Sequence, residues 1–192
     1  MEEPVLFLNA CVRKRSRTLR LAGKLLQLLA RPYEEVRVSE IEYPKIDEAY
    51  LEKRDALVRA GAPDDEFFAL ARQFAEAETI VIAAPYWDLS FPAALKRYLE
   101  TVNVVGITFR YSEAGVPIGL CRAKTIYYVT TAGGNFAPDE FGFGYVKALA
   151  EGYYGIHNVI LVKATGLDLV GADAEEILKN QEKSLANSVV DS

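Results

Sequence analysis

The sequence predicts an α/β domain built on a doubly wound, five-stranded parallel sheet in the order 2-1-3-4-5, with helices on both faces. Three observations predict it. Short apolar runs without a helical period alternate with amphipathic segments from end to end, which is the pattern of βαβ units. The runs are apolar at consecutive positions, as strands covered on both faces must be. Five of them fit within 192 residues, a length read as one domain, residues 1–192, with a sizeable core. A six-stranded dinucleotide-binding sheet is the competing arrangement.

The elements follow in order. "PVLFLNA" (4–10) is the first buried strand. "SRTLRLAGKLLQLLA" (16–30) places Leu19, Ala22, Leu25, Leu26 and Leu29 on one helical face, with Ser16 or Thr18 as its cap. "YEEVRVSEI" (33–41) alternates and reads as a strand nearer an edge. Residues 42–62 are polar and less regular, and are read as a short helix with a flexible link. "DDEFFALARQFAEA" (64–77) begins with acids, as a first helical turn prefers. "TIVIAAP" (79–85) is the third strand. Pro92 opens a helix over 92–102, where its missing N–H costs nothing. "AKTIYYVTTAGG" (123–134) is a strand that runs into glycines. Residues 139–155 are helical in their second half, 158–166 form the last strand, and 173–189 a terminal helix.

Composition narrows the function. The formal net charge of -5 argues against a general nucleic-acid binder. No apolar stretch reaches the roughly 18–20 residues of a membrane span. The acidic start "MEEPVLFLNAC" has no basic segment typical of a signal peptide, so a cytoplasmic location is expected. Cys11 and Cys121 lack the spacing of a disulfide framework or a zinc site, and no metal is expected.

Ligands of such sheets bind beyond the carboxyl ends of the strands, at the switch in strand order. The segments leaving strands one, three and four should meet there. "NACVRKRSRTL" (9–19) offers Ser16 and Thr18 at a helix start among Arg13, Lys14, Arg15 and Arg17, which suits a phosphate. It has no GxGxxG, so a phosphate monoester fits better than a pyrophosphate. Capping and a solvated basic surface would explain the same residues. "TTAGG" (130–134) lets backbone approach a ligand closely, or simply makes a turn. "PYWDLSFP" (85–92) puts Tyr86 and Trp87 between two prolines that limit flexing. An aromatic turn facing a phosphate pocket suits a flat ring that carries a phosphate. Alternatively, Trp87 packs on the following helix.

"APYWDLSFPAALKRYLETV" is similar to the A-P-M-Y-N-F-x-x-P-x-x-L-K turn and helix of the FMN-dependent NADH-azoreductases, within the flavodoxin-like NAD(P)H:quinone oxidoreductases. "TFRYSEAGVPIGLCRAK" (108–124) resembles the hairpin-like insert that follows it there. "VTTAGG" stands at the T-S-R-G-G loop, and Ser16–Thr18 at an S-x-S. The resemblance implies a flavodoxin-like fold and FMN as cofactor. It implies Cys11, Ser16, Arg17 and Thr18 around phosphate and ribityl chain. Pro85, Tyr86, Trp87, Asp88 and Leu89 would lie along the isoalloxazine, and Thr131, Ala132, Gly133 and Gly134 at its pyrimidine edge. Phe109 or Tyr111 of the insert would cover flavin or substrate. Hydride would pass from NADH or NADPH through FMN to a quinone or azo compound in a two-step ping-pong cycle, in a homodimer with the site near the interface. No protein acid or base is required, and His157 is read as structural. Cys11, Asp88 and Ala132 depart from a common serine, asparagine and arginine. The rival readings are a flavodoxin-like electron carrier that does not oxidise NAD(P)H and a non-catalytic domain of the same fold.

Overall fold

The computed structural model describes residues 3–190, without the side chains of 187–190. Its central sheet contains β1 (Val5–Asn9), β2 (Tyr33–Arg37), β3 (Thr79–Ala83), β6 (Thr125–Thr131) and β7 (Asn158–Ala164). The strands are parallel, in the order β2-β1-β3-β6-β7, so the expected 2-1-3-4-5 sheet is present. The labels β4 (Phe109–Tyr111) and β5 (Pro117–Gly119) belong to a separate antiparallel hairpin.

Alternate side chains of the strands feed two cores, as strand geometry requires. Val5, Phe7, Val81, Ala83, Tyr127 and Val129 pack with Leu21, Ala22 and Leu25 of α1 (Arg17–Leu29) and Leu178 of α6 (Ala174–Val190). Leu6, Leu8, Ile80, Ile82, Ile126 and Tyr128 pack on the other face. There they meet Phe74 of α3 (Ala69–Glu76), Leu95 and Tyr98 of α4 (Ala93–Val102), and Val146 of α5 (Phe143–Leu149). All five residues of β1 are buried, whereas β2, at the sheet's edge, is largely exposed. Arg20 of α1 ties the first face together through ion pairs to Glu175 and Glu182 of α6.

Two elements differ from the sequence reading. Residues 42–62 contain a full twelve-residue helix, α2 (Glu48–Arg59), capped by the Asp47 side chain on the Tyr50 amide. It buries no residue completely, which is why its apolar period is faint. The helix over 143–154 ends in a π-helical turn, Ala150–Tyr154, and closes at Gly155 with φ 76°.

The hairpin closes the end of the sheet where the strands begin. Its exit is fixed by amides of Arg122 and Lys124 on the carbonyls of Ala75 and Glu78, just ahead of β3 and β6. Gly119 lies against the backbone of Tyr154 and Gly155, so close that an added Cβ would sit 2.1 Å from the Tyr154 carbonyl carbon.

Gly119→Ala must therefore displace backbone, and should cost about 1–3 kcal/mol. Gly23, inside α1, has no heavy atom within 4 Å of an added Cβ. Gly23→Ala should instead stabilise by roughly 0.5–1 kcal/mol through reduced chain entropy. Urea unfolding of the two variants checks both the signs and the contrast.

Candidate functional site

At the carboxyl ends of β1 and β3 the chain departs toward opposite faces: α1 covers one and α4 the other. The crevice left between the departing segments is a cavity of about 390 Å³. Its walls come from four loops: 12–18, 85–87, 131–133 and 167–168.

The first wall is the start of α1. Ser16 caps it, its hydroxyl accepting from the Leu19 amide at 3.2 Å. Among the described residues the amides of Arg17 and Thr18 have no hydrogen-bond partner. They are free donors at the positive end of the helix dipole. Arg13, Arg15 and Arg17 stand around them, and Asp168 is the one carboxylate of the lining. Arg17 Nη1 meets Asp168 Oδ1 at 2.6 Å. Beneath, the hydroxyls of Thr18 and Thr131 share a buried 2.7 Å hydrogen bond that joins the first wall to the end of β6.

The second wall is the aromatic turn. Tyr86 is held to β6 by its amide on the Thr131 carbonyl at 3.1 Å. Trp87 and Ser90 exchange two backbone hydrogen bonds, of 3.1 and 2.7 Å. The two residues between them, Asp88 and Leu89, have φ of 49° and 68°. A two-residue turn with both central φ positive is the tight hairpin type that normally takes Asn-Gly. Aspartate tolerates this region, but leucine there costs on the order of 1–2 kcal/mol. The strain is held by Pro85 and Pro92 and by Ser90 Oγ donating to the Phe141 carbonyl at 3.0 Å. Trp87 is 41% exposed, so it is not a core residue.

The third wall is Thr131–Gly133, with the segment after β7 stacked behind it. The Asp168 amide donates to the Gly133 carbonyl at 2.9 Å. An added Cβ on Gly133 would lie 2.3 Å from Asp168 Oδ2, so only glycine leaves room for that carboxylate.

The cavity thus brings together Ser16, Arg17, Thr18, Pro85, Tyr86, Trp87, Thr131, Ala132 and Gly133 from the candidates named in the sequence. Asp88, Leu89 and Gly134 adjoin it without lining it, and Cys11 sits just behind the first wall. Burial pushes the Cys11 thiol above its usual range, a hydrogen bond with Ser16 lowers it in part, and the charge of Glu35 raises it. Phe109 and Tyr111 are not brought to this cavity. Phe109 is buried edge-on against Tyr153, 4.8 Å between ring centres, in the hairpin at the far end of the sheet. Within one chain neither can cover the cleft. Val12, Leu167 and Asp168 line it and were missed. The loops after strands one, three and four were expected to meet at the site, whereas "TGLDL" (165–169) leaves the fifth. Gly166, with φ 75°, was the signal available there.

The model of the flavodoxin-like fold family matches residues 3–189 of the chain. The FMN-dependent NADH:quinone oxidoreductase of Clostridium perfringens (strain SM101 / Type A) is 31% identical over 184 residues, 91% of this chain and 92% of that protein. The chain belongs to this flavodoxin-like oxidoreductase family. A second relative, FMN-dependent NADH:quinone oxidoreductase 2 of Clostridium acetobutylicum (strain ATCC 824), is 42% identical over 122 residues, 61% of this chain and 60% of that one. In fold, the azoreductase from Bacillus anthracis str. Sterne superposes with a TM-score of 0.82 at 24% identity, over 98% of this chain and 99% of the other.

The Thr18–Thr131 bond gives a direct test of the cavity floor. Thr18→Val leaves the buried Thr131 hydroxyl without its partner and should destabilise the protein by about 1–3 kcal/mol. Adding Thr131→Val should recover much of that loss, because neither side is then left unpaired. A thermodynamic cycle from urea unfolding measures it.

Proposed function

We propose that the protein is an FMN-dependent NADH:quinone oxidoreductase that also accepts azo compounds. The observation that carries this reading is the convergence of a helix N-terminus with free amides, a ring of guanidiniums and a rigid aromatic turn on one cleft. The donor set fits the group. Free N–H groups and arginines are phosphate ligands. Tyr86 and Trp87 offer flat apolar surface for a ring. The backbone of Thr131–Gly133 borders the cleft where the ring's polar edge would lie. Without a second phosphate site or a glycine fingerprint, FMN fits better than FAD.

When bound, FMN supplies the hydride relay between donor and acceptor. The chain's residues hold and orient it. Ser16, Arg17 and Thr18 fix the phosphate, with Cys11 alongside. Pro85, Tyr86, Trp87, Asp88 and Leu89 set the plane of the ring, the strained turn keeping the aromatic side chains where the backbone puts them. Thr131, Ala132, Gly133 and Gly134 address the pyrimidine edge, where Asp88 can accept from an N–H but cannot donate. NADH and acceptor use the same open side of the cleft in turn, which makes the cycle ping-pong. No side chain of the lining is needed as proton donor or acceptor.

A homodimer fits the same reading. Phe136 and Phe141, 79% and 57% exposed, stand with Trp87 on the segments that rim the cleft, a surface suited to a second copy. Among the described residues no helix is long and apolar enough to cross a membrane, in keeping with work in the cytoplasm.

The purified protein should be yellow or become so with FMN, and NADH should bleach it under anaerobic conditions. Initial rates with NADH and a quinone should give parallel double-reciprocal lines. Bound FMN that NADH fails to reduce would favour a flavodoxin-like electron carrier instead.

Trp87 fluorescence should be quenched in the holoprotein and recover when FMN is removed. Trp87→Ala should weaken FMN binding while leaving the melting temperature of the flavin-free protein within a few degrees, since a half-exposed turn residue is not core. A large loss of stability with FMN affinity preserved would contradict the role given to the turn.

A further inference from the structure

We infer that Asp168 is a built-in competitor for the cofactor phosphate, and that Arg17 exchanges the Asp168 carboxylate for that phosphate as the cofactor binds. The inference rests on the FMN reading above and deepens it.

Arg17 occupies the first position of α1, and there is no acidic residue in that turn. A cation at a helix N-terminus is opposed by the dipole and by the free amides beside it. The position is satisfactory only with an anion present. In this structure the anion is Asp168, contributed from 151 residues further along the chain.

The pair is built unequally. Asp168 is anchored through its backbone: its amide is bonded to the Gly133 carbonyl, and its short side chain, itself 67% exposed, lies where a Cβ on Gly133 would clash with it. Arg17 makes one hydrogen bond to it, through Nη1, on a long side chain that is 42% exposed. An exposed, singly bonded pair contributes little to stability. Arg17 is therefore free to swing toward a phosphate at the Arg17 and Thr18 amides, where a doubly charged oxyanion offers it stronger bonds.

The charges of the wall agree. Three guanidiniums and one carboxylate line the cavity. Arg13 and Arg15 make no ion pair among the described residues, so Arg17 is the one lining cation that is already engaged. Asp168 thus acts twice against phosphate, by occupying Arg17 and by its own charge. The expected consequence is a cofactor held less tightly than the donor set alone would allow, with the weakening confined to the phosphate.

The test separates phosphate from ring. FMN and riboflavin are titrated into flavin-free wild type, Asp168→Asn, Arg17→Gln and the double variant, with flavin fluorescence as the readout. Asn keeps the shape of the side chain, and the anchoring amide is unaffected. Asp168→Asn should bind FMN more tightly, on the order of tenfold, with riboflavin affinity unchanged. Arg17→Gln should lose FMN affinity and not riboflavin affinity. Asp168→Asn should gain clearly less in the Arg17→Gln background, because no arginine remains to be released. The inhibition constant of inorganic phosphate as a competitor of FMN, corrected for the FMN affinity of each variant, should be lower in Asp168→Asn than in wild type, which decides the matter should riboflavin bind too weakly to follow.

Unchanged or weaker FMN binding in Asp168→Asn overturns the inference. So does an equal change for FMN and riboflavin, which would make Asp168 a support of the loop rather than a competitor. A wild-type protein that binds neither flavin overturns the cofactor reading itself, and this inference with it.

Discussion

The divergence of the chain after β1 and β3 is the constraint from which the rest of the site follows. The two strands are neighbours, paired from Leu6–Ile80 to Asn9–Ala83. The chain leaving β1 forms α1 on one face, and the chain leaving β3 reaches α4 on the other. Backbone cannot fill the space between paths that separate, so a crevice opens at the strand ends. Asn9 shows how firmly this point is built. Its buried side chain donates to Glu35 of β2 at 2.6 Å and accepts from the Cys11 amide at 2.9 Å, which turns the chain out of β1 toward the helix start.

The walls of the crevice are tied to one another and to the loop beside them. Thr18 is fixed by Thr131, Tyr86 by the carbonyl of the same Thr131, and Ser90 by Phe141. One residue at the end of β6 therefore sets the distance between two walls, through its side chain to one and its backbone to the other. A site assembled this way does not depend on ligand for its shape. What changes on binding is left to long exposed side chains, and the arginines of residues 13–17 are of that kind.

The sheet was legible because burial on both faces leaves an unambiguous apolar run, as in "VLFLN" and "TIVIA". The order 2-1-3-4-5 followed from five strands alternating with helices in a chain of this length, and the alternation in "YEEVR" agrees with the exposed edge position that β2 takes. Most of the cleft residues were legible too, because glycine and proline mark where the chain turns at the strand ends, and bulky aromatics such as Tyr86 and Trp87 are unusual in such a turn. The helix α2 was faint because a helix without a fully buried residue needs no apolar stripe. Leu89 gave no sign of its positive φ, since leucine is chosen against there and only the surrounding bonds impose it. Asp168 was not legible for a different reason. Its importance lies in contacts with Gly133 and Arg17, which chain order does not bring together.

The turn at Asp88 and Leu89 shows why local preference and function part company. An Asn-Gly pair would form the same turn without strain. It would also remove the leucine side chain, 43% exposed beside Trp87. Trp87 gains no core packing from its position, and the turn gains no stability from leucine. Both choices act against folding in isolation. They have in common that they put rigid apolar surface at the mouth of a polar, arginine-lined cavity. A ligand with one charged end and one flat apolar end is what such a pairing of surfaces can hold in a single orientation. Strain in the turn then has a physical use: the aromatic surface is in place before the ligand arrives, and ordering it costs nothing at the moment of binding.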